Sequence, residues 1–287
     1  MPQPKISIVM PTFNQGQYIE KSIRSVLEQD GENIELIVID GGSTDNTIEV
    51  VRRYESKITY WVSEKDRGQS HAINKGMQQA TGEYLTWLNS DDWYLPGAVK
   101  AMMDLFEKTG ADVVVGAGTI VDQEGKQIYG KAPTPTIDLN TLYHWHEGGN
   151  FMQPSSAFSR TAWSAAGEVD ETVHIALDLD LWLRMAKAGC RYVTTDRQLS
   201  VALSHPGAKT TAFKDLMRLD CLITIIRHGG DAHVRKRLQE LTNELCSYRS
   251  KYERIVGHPL IRLAKPILRM LSRQSARSRP DAPPWTG

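Results

Sequence analysis

Tyr84-Leu85-Thr86-Trp87-Leu88-Asn89-Ser90-Asp91-Asp92 is the stretch on which the reading of this chain turns. Residues 84–88 are a short apolar run with aromatic and β-branched members, the composition of a buried strand. Two adjacent carboxylates follow at its carboxyl end. Buried acids are costly unless something cationic sits on them. The carboxyl edge of an open α/β sheet is also where ligands bind. A divalent cation gripping a diphosphate satisfies both conditions, being hard and content with few protein carboxylates. The bland reading is a turn or a helix cap. Pro96 suits the first position of a helix reaching residue 107, which makes Leu95 its cap and leaves Asp91 and Asp92 about a turn too early to serve.

Outward from this stretch, the first 118 residues alternate strand and helix patterns. Residues 6–10, 35–39 and 58–62 read as strands, the first stopped by Pro11. Apolar spacing predicts helices over 18–28, 47–54 and 70–80, the last closed by Gly82 as a left-handed cap. A fifth strand is expected at 112–116. Near-continuous apolar strands separated by helices predict an α/β fold with a mainly parallel, Rossmann-like sheet and helices on both faces. Right-handed crossovers place every strand-to-helix loop on one edge. Thr12, Asp40, Arg67, Asp91 and Asp92 should therefore converge on a single crevice.

Each has a bland reading. Asp40 beside Gly41-Gly42 can be a turn former, or a carboxylate that accepts hydrogen bonds from a ligand while the glycines clear its approach. Asp45 is expected to cap the next helix. Arg67 lies in a charged run, Glu64-Lys65-Asp66-Arg67, that is solvated or meets a phosphate or base. Further on, residues 119–155 lose the alternation and are rich in Gly, Pro and aromatics, a stretch suited to a second ligand. Residues 178–188 form an amphipathic helix closed by Gly189, with a strand at 191–195 and helices at 213–227 and 234–252. In the first of these helices Asp180 and Arg184 are spaced for an ion pair and Trp182 is core, which leaves Asp178 to face the crevice or to cap the helix. His205 and Lys209, on a Gly-containing loop, suit a metal or a diphosphate. His144, His146 and His174 lack metal-site spacing.

Composition narrows the function. The chain has 287 residues, 40% apolar and 24% charged, with zero formal net charge, which argues against a nucleic-acid partner. Charge is unevenly spread: residues 249–279 carry nine Lys/Arg and one acid, Glu253, a local +8 that the remainder balances. Three widely spaced cysteines suit a reducing cytosol and offer no disulfide or zinc framework. Residues 1–5 run into a strand pattern without a leader-like apolar region, and no apolar run is long enough to span a bilayer. A cytoplasmic location is expected, with peripheral contact at the inner membrane face through residues 253–279. There Leu260, Leu263, Ala264, Ile267, Leu268 and Leu271 would share one face of a basic helix kinked by Pro266.

Four segments together resemble family 2 glycosyltransferases of the glycosyltransferase-A fold: Ser7-Ile8-Val9-Met10-Pro11-Thr12-Phe13-Asn14, Asp40-Gly41-Gly42-Ser43-Thr44-Asp45, Asn89-Ser90-Asp91-Asp92 and Asp178-Leu179-Asp180-Leu181-Trp182-Leu183-Arg184. The resemblance runs over about residues 6–209 and implies a catalytic domain over 1–212, with a nucleotide-sugar half at about 1–118 and an acceptor half at about 119–212. Residues 213–287 would be a helical extension with a basic tail. By the same resemblance Thr12, Asp40 and Arg67 hold the nucleotide, with Asp40 on the base. Asp91 meets the ribose and Asp92 the metal, Asp178 is the catalytic base, and His205 and Lys209 belong to a loop closing over the diphosphate, His205 as a second metal ligand. The chain departs from the family pattern at Gly41, Asn89 and Leu177, where acids are common.

The implied reaction is inverting transfer of a sugar from a nucleotide-diphosphate donor to the hydroxyl of a sugar or lipid-linked glycan, with Mn²⁺ or Mg²⁺ as cofactor, in polysaccharide, lipopolysaccharide or glycoconjugate assembly. A carboxylate at Asp40 accepts only, so it favours bases with an N–H on the pairing edge: UDP-sugars first, then dTDP- and GDP-sugars. A sugar-phosphate nucleotidyltransferase would need a glycine-rich basic loop after the first strand, which Pro11-Thr12-Phe13-Asn14-Gln15-Gly16 is not. A catalytically silent scaffold is opposed by the presence of both Asp92 and Asp178.

Overall fold

A computed structural model describes residues 6–30, 33–147, 151–212 and 214–257. Strands β1 (Ile6–Thr12), β2 (Ile34–Asp40), β3 (Tyr60–Ser63) and β4 (Tyr84–Trp87) alternate with helices α1 (Ile19–Leu27), α2 (Thr47–Arg53) and α3 (Gln69–Gln79). They lie side by side in the order β3-β2-β1-β4, all parallel. Ile8, Val9, Met10, Ile37, Val38 and Ile39 are fully buried, as expected for strands covered on both faces. Glu35 and Asp40 are the buried acids of β2; Ser7 Oγ, Thr81 N and Thr81 Oγ1 all donate to the Glu35 carboxylate.

β5 (Trp93–Tyr94), α4 (Ala98–Thr109), β6 (Val113–Val121), β7 (Gln127–Lys131), α5 (Leu139–Tyr143), β8 (Ser156–Ser159) and α6 (Arg160–Ala166) come next. They are followed by α7 (Leu177–Lys187), β9 (Tyr192–Leu203), α8 (Lys209–Ala212), α9 (Lys214–Arg227) and α10 (Asp231–Gly257). The sheet continues from β4 as β8-β6-β9-β5, with β7 on β6. Only β6 and β9 pair parallel in this half; β8 is antiparallel to both β4 and β6, and β5 to β9. The sheet is thus mixed, and the mainly parallel order expected from the sequence holds for β1–β4 alone. Trp87 of β4 stacks on Trp182 of α7 at 5.9 Å, with Phe158 of β8 edge-on to both, so an aromatic cluster joins the two halves.

Three local expectations are corrected. Pro11 does not stop β1, which runs to Thr12. Val9 O accepts from Leu88 N of the chain leaving β4, while Thr12 O accepts from Gly41 N after β2. Pro11 therefore turns its missing N–H toward β4, past the last β1–β4 pair at Val9 and Trp87, where no ladder bond is lost. Helix α4 begins after Gly97, in the left-handed region at φ 72, not at Pro96, and Leu95 instead donates to Leu199 O of β9. Gly82 is not a left-handed cap. A Cβ there would lie 2.7 Å from Ser7 Oγ and 2.8 Å from Ser7 N, so it is glycine because the chain presses on β1.

Compactness divides the chain into Met1–Asp231, which includes α9, and Ala232–Gly287. Among the described residues no helix is long and apolar enough to cross a membrane. The basic helix expected at 260–273 lies outside the described residues.

Candidate active site

Thr12, Asp40 and Ser63 end three adjacent parallel strands in register. Asp40 is fully buried. Its Oδ2 accepts from Gly42 N at 3.0 Å, Ser43 N at 2.9 Å and Ser63 Oγ at 2.6 Å, and its Oδ1 takes the Ser43 hydroxyl. Its own loop and Ser63 of β3 thus supply its donors, three of them to Oδ2 and one to Oδ1. Asp40, expected to meet a base, already accepts from four protein donors at the end of β2. Thr12 Oγ1, by contrast, is buried with no hydrogen-bond partner among the described residues. Asn14, at φ 52, accepts from Thr44 N at 2.9 Å, and Asp45 accepts from both Thr47 N and Gly16 N. The N-cap of α2 is Asn46, not the expected Asp45, which lies one residue earlier, still accepts from Thr47 N and ties the β1 and β2 loops together. A side chain at Gly16 would collide with Asn46 Oδ1, 2.0 Å from its Cβ.

The β3 loop supplies two further groups. Asp66 Oδ1 accepts from Gly68 N at 2.8 Å, while its Oδ2 lies 2.6 Å from where a Cβ on Gly41 would be. The side-chain space left open by Gly41 is thus taken by the Asp66 carboxylate. Arg67 makes a two-pronged pair with Glu171, at 2.8 and 2.9 Å. Here the guanidinium is engaged with protein rather than free for a ligand.

Asp91 and Asp92 occupy the turn between β4 and β5. Asp92 is 6% exposed; its carboxylate accepts from Leu203 N at 3.2 Å and from Asn89 Nδ2 at 3.2 Å. Burial first, and then the neighbouring Asp91, push its carboxyl well above the usual carboxylate range. An Asp at 89 would add a third negative charge here, whereas Asn89 donates a hydrogen bond. His205, two residues past β9, places Nε2 3.0 Å from Asp91 Oδ2 and packs its ring against Tyr18 at 4.5 Å. Of the two expected metal ligands, Asp92 is held by β9 and Asn89, and His205 by Asp91. Among the described residues no three His, Cys, Asp or Glu side chains cluster as a metal cage. One or two carboxylates are nonetheless enough for Mg²⁺ or a similar ion that takes its other oxygens from water and substrate phosphates. Two adjacent acids with a shortage of positive charge fit that role.

Asp178 sits in the first turn of α7, and Ala176, not Asp178, is the cap residue. The helix start is capped from outside: Asp220 Oδ2 on α9 accepts from Ile175 N at 3.2 Å and Ala176 N at 2.9 Å. Asp178 Oδ1 accepts from Leu179 N at 2.8 Å in the first turn. Burial pushes its carboxyl up to about 6, with Leu179 N and the nearby Lys209 ammonium pulling the other way. Lys209 donates to His174 O at 3.0 Å, and burial lowers its own pKa. Asp180 pairs with Arg184, as the spacing predicts, and also with His228 Nε2 at 2.8 Å. The segment leading into α7 is stitched to α3: Asn74 Nδ2 donates to Val169 O and its Oδ1 accepts from Val169 N, both at 2.9 Å. One loop joins the two acidic sites, since residues 205 and 209 place His205 on Asp91 and Lys209 beside Asp178.

The segment 7–166 matches the model of the family described as "Glycosyl transferase family 2". The chain belongs to this family. As a family 2 glycosyltransferase it is 28% identical over 232 residues to an uncharacterized glycosyltransferase of Rickettsia typhi, covering 76% of this chain and 70% of that one. It is 34% identical over 135 residues to the GalNAc(5)-diNAcBac-PP-undecaprenol beta-1,3-glucosyltransferase of Campylobacter jejuni, covering 45% and 43%. The fold is similar to that of S. aureus TarS residues 1–349 in complex with UDP, with TM-score 0.59, 19% identity and 78% and 65% coverage. It is equally similar to mannosyltransferase PcManGT from Pyrobaculum calidifontis in complex with GDP-Man and Mn²⁺, with TM-score 0.59, 19% identity and 91% and 83% coverage. These likenesses place the glycosyltransferase on the expected glycosyltransferase-A fold.

Three contributors escaped the sequence reading. Asp220 acts from α9, 44 residues on from Ala176, and has no local signature. Glu171 meets Arg67 only in three dimensions. Asp66 was read as part of a charged run, although the glycine at 41 hinted at a compensating acid.

Proposed function

We propose that this glycosyltransferase moves a sugar from a nucleotide-diphosphate donor to an acceptor hydroxyl with inversion. The observation that carries the proposal is the loop 205–209, which links the Asp91–Asp92 pair to Asp178. A leaving diphosphate and an attacking hydroxyl need such opposed stations. Asp178, with its carboxyl raised to about 6, is suited to take a proton near neutral pH. The acceptor oxygen loses its proton to Asp178 and bonds to the anomeric carbon. The bond from that carbon to the β-phosphate oxygen breaks, and the electron pair leaves with the diphosphate. Attack from the opposite face inverts the centre without a covalent intermediate. Lys209 is placed to offset negative charge as it builds.

A divalent cation, Mn²⁺ or Mg²⁺, held through Asp92 with Asp91 beside it, would neutralise the departing diphosphate. His205 orients Asp91, which is placed for the ribose. Thr12 offers its unpartnered hydroxyl to the nucleotide. Base recognition passes from Asp40 to Asp66, whose Oδ2 reaches the space beside Gly41 and can accept an N–H from uracil, thymine or guanine. UDP-sugars remain the first choice, because a floor of Thr12 and Asp40 better fits a pyrimidine. The acceptor is a sugar or lipid-linked glycan of a polysaccharide, lipopolysaccharide or glycoconjugate pathway.

Thermal melting with Mn²⁺ and each of UDP, dTDP, GDP and CDP tests this reading, because a specific ligand stabilises by mass action. UDP should raise Tm most, and Asp66→Ala should remove the preference among bases. If CDP stabilises best, no carboxylate reads the base. If none stabilises, the nucleotide-sugar reading fails.

A further inference from the structure

Helix α10 carries an apolar seam with the 3.5-residue period of a coiled coil. Leu238, Leu241, Leu245, Tyr248, Tyr252 and Ile255 are spaced three and four apart in alternation. Assigned to heptads, they fill every a and d position from Leu238 to Ile255. Five of the six are exposed, from 48% at Leu238 to 69% at Leu245. Scattered exposed apolar residues are ordinary, but a continuous seam along two and a half heptads is not. The seam is narrow. Apart from Cys246, the helix surface from 239 to 254 outside the seam is polar, with Glu240, Asn243, Ser247, Ser250 and Glu253 on it. A helix lying on lipid needs a broad apolar face, whereas a two-position stripe matches another helix.

The flanking charges name the partner. Positions g hold Arg237, Glu244 and Lys251, and positions e hold Thr242 and Arg249. In a parallel pair of identical helices, Glu244 meets the other copy's position 249, an arginine. In an antiparallel pair with full overlap it meets position 251, a lysine. Either way an acid faces a base, the arrangement that sets partner choice at such seams. Lys251 already lies along the seam, 5.6 Å from the Tyr248 ring. We propose that α10 pairs with α10 of a second copy of this chain through the Leu238–Ile255 seam, making the glycosyltransferase a homodimer.

Sedimentation velocity of the full chain over a concentration series is the test, with Leu245→Glu as the seam-breaking variant. Leu245 is 69% exposed, so the substitution leaves the monomer folded, which circular dichroism checks. The expected result is a reversible dimer whose dissociation constant rises at least about tenfold with Leu245→Glu. Glu244→Lys should weaken the dimer too, by a smaller factor. A chain that stays monomeric up to its solubility limit overturns the proposal, as does a dimer indifferent to Leu245→Glu. Flotation with anionic vesicles completes the test: a monomer that floats through this helix means that the seam faces lipid, and the proposal fails.

Discussion

Strands β1–β4 and strands β5–β9 form one sheet by different means. In the first set helices follow β1, β2 and β3, β2 and β3 add in turn on one side of β1, and β4 returns to its other side, all in parallel. In the second, β8 is four residues, β5 is two, and most pairings are antiparallel between distant segments. The chemical groups follow the same division. Thr12 and Asp40 end β1 and β2, and Asp66, Asp91 and Asp92 follow β3 and β4; local turns position them, with Leu203 and His205 of the later half also touching Asp92 and Asp91. Asp178, His205 and Lys209 belong to the later half and are fixed by contacts from elsewhere, such as Asp220 on the start of α7. The lesson is that a site can be half local and half borrowed, and substitutions should show which half is which.

The largest effect is expected at Asp178. Asp178→Asn should lower turnover by about 10²–10⁴ while leaving nucleotide binding intact. Its carboxyl is raised in the folded protein from 3.8 to about 6, so the native state holds the proton more tightly than the unfolded chain. Stability from this group is complete below about pH 4 and is lost as pH rises through about 6. At pH 8 Asp178→Asn should therefore melt higher, by a gain of about 1–3 kcal/mol. The pH profile of kcat/KM should fall on the acid side near 6, read by steady-state kinetics. A variant with near-normal turnover would remove Asp178 from the mechanism.

The next effect concerns Asp92. Chelation should cut transfer at least about tenfold, with Mn²⁺ or Mg²⁺ restoring it. Asp92→Asn should fold at least as well as the parent, since it relieves a buried charge, but should no longer melt higher when Mn²⁺ and UDP are added together. Full activity in chelator would shift the diphosphate charge onto Lys209, His205 and Arg67.

Asp220 tests the borrowed half. Asp220→Ala removes the external cap of α7 and should cost about 0.5–2 kcal/mol, measured by denaturant unfolding. It should also lower turnover while sparing nucleotide binding. Loss of nucleotide binding instead would show that the two halves are not separable. The smallest effect belongs to Glu171. Glu171→Gln breaks an exposed ion pair and should change stability by about 0–1 kcal/mol. It frees Arg67, so a lower donor KM would show that the pair holds the guanidinium back.

What could be read in advance follows from the same contrast. The order of β1–β4, their shared edge and the residues on it are consequences of apolar periodicity and crossover handedness, both local in the chain. Trp182 and the Asp180–Arg184 pair were legible from helical spacing for the same reason. β8 was not, because Ser-Ala-Phe-Ser is too short and too small to show a period; only its seat between β4 and β6 makes it a strand. Asp40 allowed two readings because strand-end acids beside glycines turn the chain or meet a ligand, and the donors from Gly42, Ser43 and Ser63 could not be read from the chain alone. Pro11 looked like a stop because its unpaired side could not be known before β4 was placed.

The Asn74 amide, with its two hydrogen bonds to Val169, bears on how such enzymes could be recombined. A chimera that joins one relative's first half to another's second half would be cut near residue 166, where the family match ends. That cut places Asn74 in one parent and its backbone partner in the other. A transplant that keeps asparagine at 74 can re-form both bonds with any residue except proline at 169, because the amide reads only main chain. One that replaces it leaves a buried donor and acceptor unpaired at the hinge between the parents. Asn74 is thus the splice site to protect in any graft of a new acceptor half.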